Sequence, residues 1–319
     1  MTLAALLVLY SLAVGVLGPP VLDRLGRGGE APRMALAAWG GAISAVLLAW
    51  VLAAVLIVRA VLLADRDVHE LMADCLHTMK LMVIGEHGPI PQAATLALAA
   101  LSLLAVGMLV VRLAVALGRA RIRTRRHCRL ARLMAETSPG PEGSVVLDTA
   151  ERVVYCVAGR PPTIVITRGA LDVLDDAQLA AVLAHERAHL SGRHHLVVAA
   201  GRAAASALPW MRLFRNGATA IAHLVEMCAD DVAARRHPGP TLVAALLALS
   251  DIEPLPRPAL AANGVGVVDR VERLLTPRDP IRAAPFRLAL VAATIAVLVP
   301  VATAAAMTLV PTLCPVVLL

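Results

Sequence analysis

The chain has 319 residues, of which 59% are hydrophobic and only 2% aromatic, and it carries a formal net charge of +7. Soluble domains are about 45–50% apolar, so this composition excludes a wholly water-soluble protein and leaves room for one soluble domain of ordinary size. The scarcity of aromatics, and the clustering of basic charge beside an apolar span, argue against direct nucleic-acid binding. The cysteines (Cys75, Cys128, Cys156, Cys228 and Cys314) form no C-x-x-C pair, which speaks against a disulfide framework or a cysteine-based zinc site.

Residues 2–18 are apolar and end at Gly18-Pro19-Pro20. No basic residue precedes them, so they read as a retained first span rather than a cleaved signal peptide. A short polar segment with Arg24, Arg27 and Arg33 follows, and then an uncharged second span over 34–58. Residues 64–91 predict an acidic, base-poor loop. His69 and His77 within it lack tight ligand spacing and read as solvated loop residues. Residues 93–117 predict a third span, with Arg112 close enough to its far end to snorkel. Seven arginines then lie between Arg119 and Arg132. By the positive-inside rule they mark the cytoplasmic side, and the base-poor loop falls outside. A last apolar run over 286–311 predicts a fourth span. The expected organisation is three transmembrane helices within 1–118, a cytoplasmic domain over 119–284, and the fourth transmembrane helix, with both termini extracytoplasmic.

The cytoplasmic segment opens with short β-branched runs at 144–147, 152–157 and 163–167. Asp148 to Glu151 suits a hairpin turn between the first two. A helix is predicted from Asp175, capped with Gln178 three residues on, to about Ser191-Gly192. It carries His185-Glu186-Arg187-Ala188-His189, an H-E-x-x-H pattern. Two histidines at i and i+4 share one helix face and can reach one Zn²⁺, while Glu186 can act on the water that completes such a site. His194 and His195 read as surface or supporting positions. Pro209-Trp210-Met211 and Phe214 read equally as a membrane-surface element near the site or as core.

A further helix is predicted over Thr219–Arg236. Glu226 and Asp230, again at i and i+4, share a face of it. An apolar helix that turns two acids inward needs partners for them. Glu226 completes a His₂Glu set with His185 and His189, and Asp230 is expected to accept the free imidazole N–H of a ligand histidine. Asp231 reads as a solvated neighbour. The competing reading of Glu226 is a salt bridge to Arg187 or Arg235. His223, His195 and Arg193 are weak candidates for stabilising an oxyanion.

The order of spans, arginine-rich entry, short strands, H-E-x-x-H, E-x-x-A-D on a later helix and a last span resembles the BlaR/MecR-type integral-membrane zinc metallopeptidases. Tyr155 to Arg160 and Ile164 to Leu171 are also similar to the strand region these proteins carry before the zinc helix. The two zinc motifs are shared with HtpX/Ste24-type membrane proteases. The resemblance implies an α-helical membrane protein with four transmembrane helices and a cytoplasmic α+β zincin-like metallopeptidase domain in a bacterial plasma membrane. It implies a zinc endopeptidase in which Glu186 is the catalytic base and His185, His189 and Glu226 hold the metal. The expected partners are a cytoplasmic protein substrate, such as a DNA-binding repressor in a signalling pathway, and membrane lipid; homo-oligomerisation stays open. The alternatives are membrane-protein quality control of the HtpX/Ste24 kind, or a zinc-containing membrane receptor or scaffold without catalysis. Antibiotic-sensing relatives end in a large extracytoplasmic penicillin-binding domain. This sequence stops soon after its last span, so that sensor is expected to be missing.

Overall fold

The computed structural model describes residues 2–26, 28–62, 89–135, 140–159, 161–250, 265–276 and 280–313. The loop expected at 64–91, with His69 and His77, lies almost wholly outside them. The described chain is mostly helical: α1 (Thr2–Gly26), α2 (Pro32–Leu62), α3 (Pro89–Ala135), α4 (Arg168–Val173), α5 (Asp176–Ser191), α6 (His194–Ala207), α7 (Arg212–Ala233), α8 (Gly239–Leu249), α9 (Val265–Leu275) and α10 (Pro280–Leu313). The strands are β1 (Val145–Leu147), β2 (Val154–Val157) and β3 (Thr163–Thr167).

Among the described residues four helices are long and apolar enough to cross a membrane, over Leu3–Gly26, Pro32–Arg59, Leu96–Arg119 and Ala283–Thr308. The first continues through Pro19 and Pro20 to Gly26 instead of stopping at Gly18. Each proline removes a backbone donor, a loss that apolar helices packed among others tolerate. The arginine-rich segment continues α3 without a break. Polar side chains tie the apolar helices together: Trp50 Nε1 donates to Ser11 Oγ at 2.8 Å, Arg59 Nη1 to the Thr308 carbonyl at 3.1 Å, and the Tyr10 hydroxyl to the Val297 carbonyl.

The sheet has the order β1-β3-β2, with β1 parallel and β2 antiparallel to β3. Asp148 to Glu151 is therefore not a hairpin turn, because β1 and β2 pair with β3 and not with each other. β3 takes the centre because it is the most thoroughly buried strand, from Ile164 to Thr167. Ile164 and Ile166 pack toward α5 through Leu183, while Val165 packs on the opposite face with Val157 and Leu147.

The α6–α7 hairpin joins the sheet and the α5 helix to the apolar helices. Leu213, Phe214, Ile221 and Leu224 of α7 share one buried cluster with Val14 of α1 and with Trp39, Ile43 and Val46 of α2. Gly217 permits the contact: a Cβ there would lie 2.8 Å from Ile43 Cδ1. The α7 helix begins at Arg212, seven residues earlier than expected, because Leu213, Phe214 and Gly217 extend its buried stripe. Phe214 is core, packed near Trp50, whereas Trp210 at the hairpin tip is 65% exposed. Phe214 lies twelve residues before Glu226 on one helix, about 18 Å along its axis, so the aromatic element is not beside the acidic pair. Arg112 does not reach for the helix end; its Nη1 donates to the Ala207 carbonyl at 3.2 Å, at the α6 C-terminus, where carbonyls lack helical partners.

Candidate metal centre

The α5 helix is started by the capping box anticipated from its sequence. Gln178 N donates to Asp175 Oδ1 at 2.8 Å, and Asp175 N donates to Gln178 Oε1 at 3.2 Å. That start sets the helical phase which turns His185 and His189 toward α7. His185 Nε2 lies 3.0 Å from His189 Nε2, 3.4 Å from Glu226 Oε2, and His189 Nε2 lies 3.5 Å from Glu226 Oε1. A tetrahedral zinc with bonds of about 2.0–2.1 Å requires its ligand atoms to sit roughly 3.3 Å apart. The three separations scatter about that value, so His185, His189 and Glu226 could hold a metal ion; among the described residues they are the group that does so. Glu186, partly buried, follows His185 on the same helix.

Behind these groups lies a buried ionic lattice. Asp230, 1% exposed, accepts from His185 Nδ1 at 3.0 Å. It also receives the Arg270 fork, Nε on Oδ2 at 2.7 Å and Nη2 on Oδ1 at 2.8 Å. Arg270 Nη1 reaches Glu226 Oε2 at 3.3 Å. The arginine that meets Glu226 is thus Arg270, not Arg187 or Arg235; Arg187 pairs with Glu142. Asp231 is not a solvated neighbour. Arg273 Nη2 donates to its Oδ1 at 2.6 Å, and Arg273 Nε donates to the Gly29 carbonyl at 2.7 Å. Gly29 has φ +60, and a Cβ there would come within 2.9 Å of Arg273 Cδ, so the α1–α2 turn is locked onto α9.

The charges follow from this geometry. Burial alone would lower the His185 pKa, but its bonds to Asp230 and Glu226 outweigh burial and raise it to about 9. Burial likewise works against the Glu226 charge, and the bonds from His185 and His189 override it, holding the carboxyl well below the usual range. Asp230 is lowered in the same way, against burial, by Arg270 and His185. His194 is pulled down to about 4 by burial and by the neighbouring His189. Its Nδ1 lies 3.1 Å from His189 Nδ1, so it supports the site rather than standing on the surface. The Cys156 thiol on β2 is pushed up to about 12 by burial first, then by the charge of Glu186, to which it hydrogen bonds.

His223 turns to Asp269 at 3.6 Å, while Arg193 and His195 are exposed at the start of α6. None of the three joins the converging ligand atoms. The residue that sequence reasoning missed is Arg270. Its signal was present in the demand itself: Asp230, an acid turned inward from an apolar helix, needs a cation, and Arg270 lies on the next helix to pack against it.

The fold and site together define a mostly helical chain with several membrane-length apolar helices and a His-His-Glu group suited to a metal. Residues 121–237 match the model of Peptidase family M48. The match spans less than half of the chain, and it takes in the sheet, the H-E-x-x-H helix and the helix carrying Glu226. It supports a peptidase of the metal-dependent kind. No curated protein and no solved structure matches the chain.

Proposed function

We propose that the chain is an integral-membrane zinc endopeptidase whose catalytic domain faces the cytoplasm and whose substrate is a cytoplasmic protein, in the first instance a transcriptional repressor in a signalling pathway. The observation that carries the peptidase reading is the convergence of His185, His189 and Glu226 at tetrahedral separations, with Glu186 adjacent on the same helix. The arginine run of α3 supports the cytoplasmic placement, and the resemblance to BlaR/MecR-type enzymes suggests the repressor. His185, His189 and Glu226 would hold Zn²⁺, which when bound supplies a Lewis acid for the scissile carbonyl and a more acidic water. Glu186 accepts the proton of the attacking water and hands it to the leaving amide nitrogen. Asp230 keeps His185 oriented, and Arg270 holds both Asp230 and Glu226 in place. β2 is an edge strand of the described sheet, and its Cys156 touches Glu186. An extended peptide added along β2 would therefore run past the general base in fixed register.

A second substrate reading, quality control of membrane proteins, is favoured by the α6–α7 hairpin, which packs among the membrane-length helices. The experiment that separates them is a substrate trap. Glu186→Gln, expressed in the native host, should retain zinc, lose proteolysis and hold its substrate. A co-purifying DNA-binding repressor supports the first reading, and a membrane protein supports the second. Undiminished cleavage by this variant removes the peptidase mechanism.

A further inference from the structure

We propose that His194 is the positioning residue of the second histidine ligand, His189, as Asp230 is of His185; this rests on the metal-site reading above. The two ligand histidines present Nε2 toward Glu226, which leaves Nδ1 of each ring to be held from behind. At His185 that role falls to Asp230, on the neighbouring helix. Among the described residues no acid stands in the equivalent place behind His189. Its Nδ1 faces Nδ1 of His194 at 3.1 Å, and the rings meet edge to face, with centroids 4.9 Å apart and planes at 90°. Two ring nitrogens at that distance require one donor and one acceptor. A His189 that offers Nε2 to a metal carries its proton on Nδ1, so His189 donates and His194 accepts, its own proton on Nε2. That bond fixes the His189 tautomer and ring angle, the service that outer partners give metal-bound histidines.

The chain between the rings is shaped to allow this. His194 begins α6, and it reaches back to α5 across a turn in which Arg193 takes a left-handed backbone, φ 49. The ring of His194 lies over Gly192: a Cβ on Gly192 would fall 2.4 Å from His194 Nε2 and 2.7 Å from its Cδ2. Gly192 has an ordinary right-handed conformation, so its backbone does not require glycine; the space taken by the His194 ring does. The two ligand histidines are thus held by different means. One is clamped by a buried carboxylate with its own arginine, and the other by a neutral imidazole supplied by the turn that follows the metal helix.

The test is zinc affinity, measured by chelator competition on the full-length protein in detergent, with the visible spectrum of the cobalt-substituted protein as a second readout. His194→Ala should weaken zinc roughly 10–100-fold and broaden the cobalt ligand-field bands. His194→Asn, whose Oδ1 can stand near the place of Nδ1, should recover most of the affinity. Gly192→Ala, which displaces the ring without removing it, should weaken zinc in the same direction and serves if His194→Ala does not fold. Wild-type zinc affinity in all three variants overturns the positioning role, and so does a loss in His194→Ala that His194→Asn leaves uncorrected. Failure of the wild-type protein to bind zinc removes instead the metal-site reading beneath it.

Discussion

Arg270 grips both carboxylate oxygens of Asp230, at 2.7 and 2.8 Å, from a helix 40 residues further along the chain. Both are buried, and Asp230 passes the constraint on to His185. Removing Arg270 leaves buried Asp230 with His185 as its remaining cation partner, and losing one partner of a buried ion pair costs about 3–5 kcal/mol in comparable cases. Arg270→Ala is expected to lower the thermal midpoint markedly and weaken zinc binding. Arg270→Lys should restore little of either, since an ammonium cannot form the two-pronged contact. Thermal unfolding with and without zinc checks both.

The raised pKa of His185, about 9, fixes the pH dependence of metal uptake. Without metal the ring keeps its proton at neutral pH. Its stabilising contribution is complete below the ordinary imidazole value and is lost as pH rises through about 9. Zinc must displace that proton. The expected result is about one proton released per zinc at pH 7, with affinity rising about tenfold per pH unit until about pH 9. Calorimetry in two buffers of different ionisation heat measures the proton count; a count of zero contradicts the assignment.

Cys156 should be a poor nucleophile, because its thiol is pushed up to about 12 by burial and by Glu186. Iodoacetamide at pH 8 is expected to leave it largely unmodified in the folded protein. Removing the Glu186 charge by Glu186→Gln should speed its labelling. Equal rates in the two proteins, read by peptide mass spectrometry, would show that the thiol and the general base do not touch.

Glu186→Gln should lower the cleavage rate by about 10²–10⁴-fold, the range for removal of a general base. Zinc content should stay at the wild-type level, because Glu186 is not among the converging ligand atoms. Loss of zinc together with activity would instead make Glu186 part of the metal-holding set.

Gly217→Val should loosen the packing of α7 on the apolar helices. A Cβ at Gly217 already meets Ile43 and Trp39, and overpacking of this kind costs about 1–3 kcal/mol. The expected outcome is a lower thermal midpoint in detergent, whereas an unchanged midpoint would place α7 away from α2.

Much of the site was legible because it is written in local helical spacing. His185 and His189 stand one turn apart, Glu226 and Asp230 likewise, and the Asp175–Gln178 cap sets the phase of the first pair. The strands were legible as β-branched runs, but their order was not. Nothing local says that β1 skips β2 to pair with β3, since pairing depends on which strand can be buried on both faces. The helix ends at Gly26 and Arg212 were missed for a similar reason. Proline and mixed polarity weaken a local helix signal, and packing on neighbouring helices overrides it.

The sequence by itself determined which side chains could serve a metal and which segments are apolar enough to span a membrane, because both are properties of composition and short-range periodicity. Only the tertiary structure decided what those side chains answer to. Asp230 is held by Arg270, Asp231 by Arg273, and the α7 helix by Trp39 and Ile43. A buried charge takes its partner from whatever element the fold packs against it, and that choice is made by long-range burial and not by spacing along the chain.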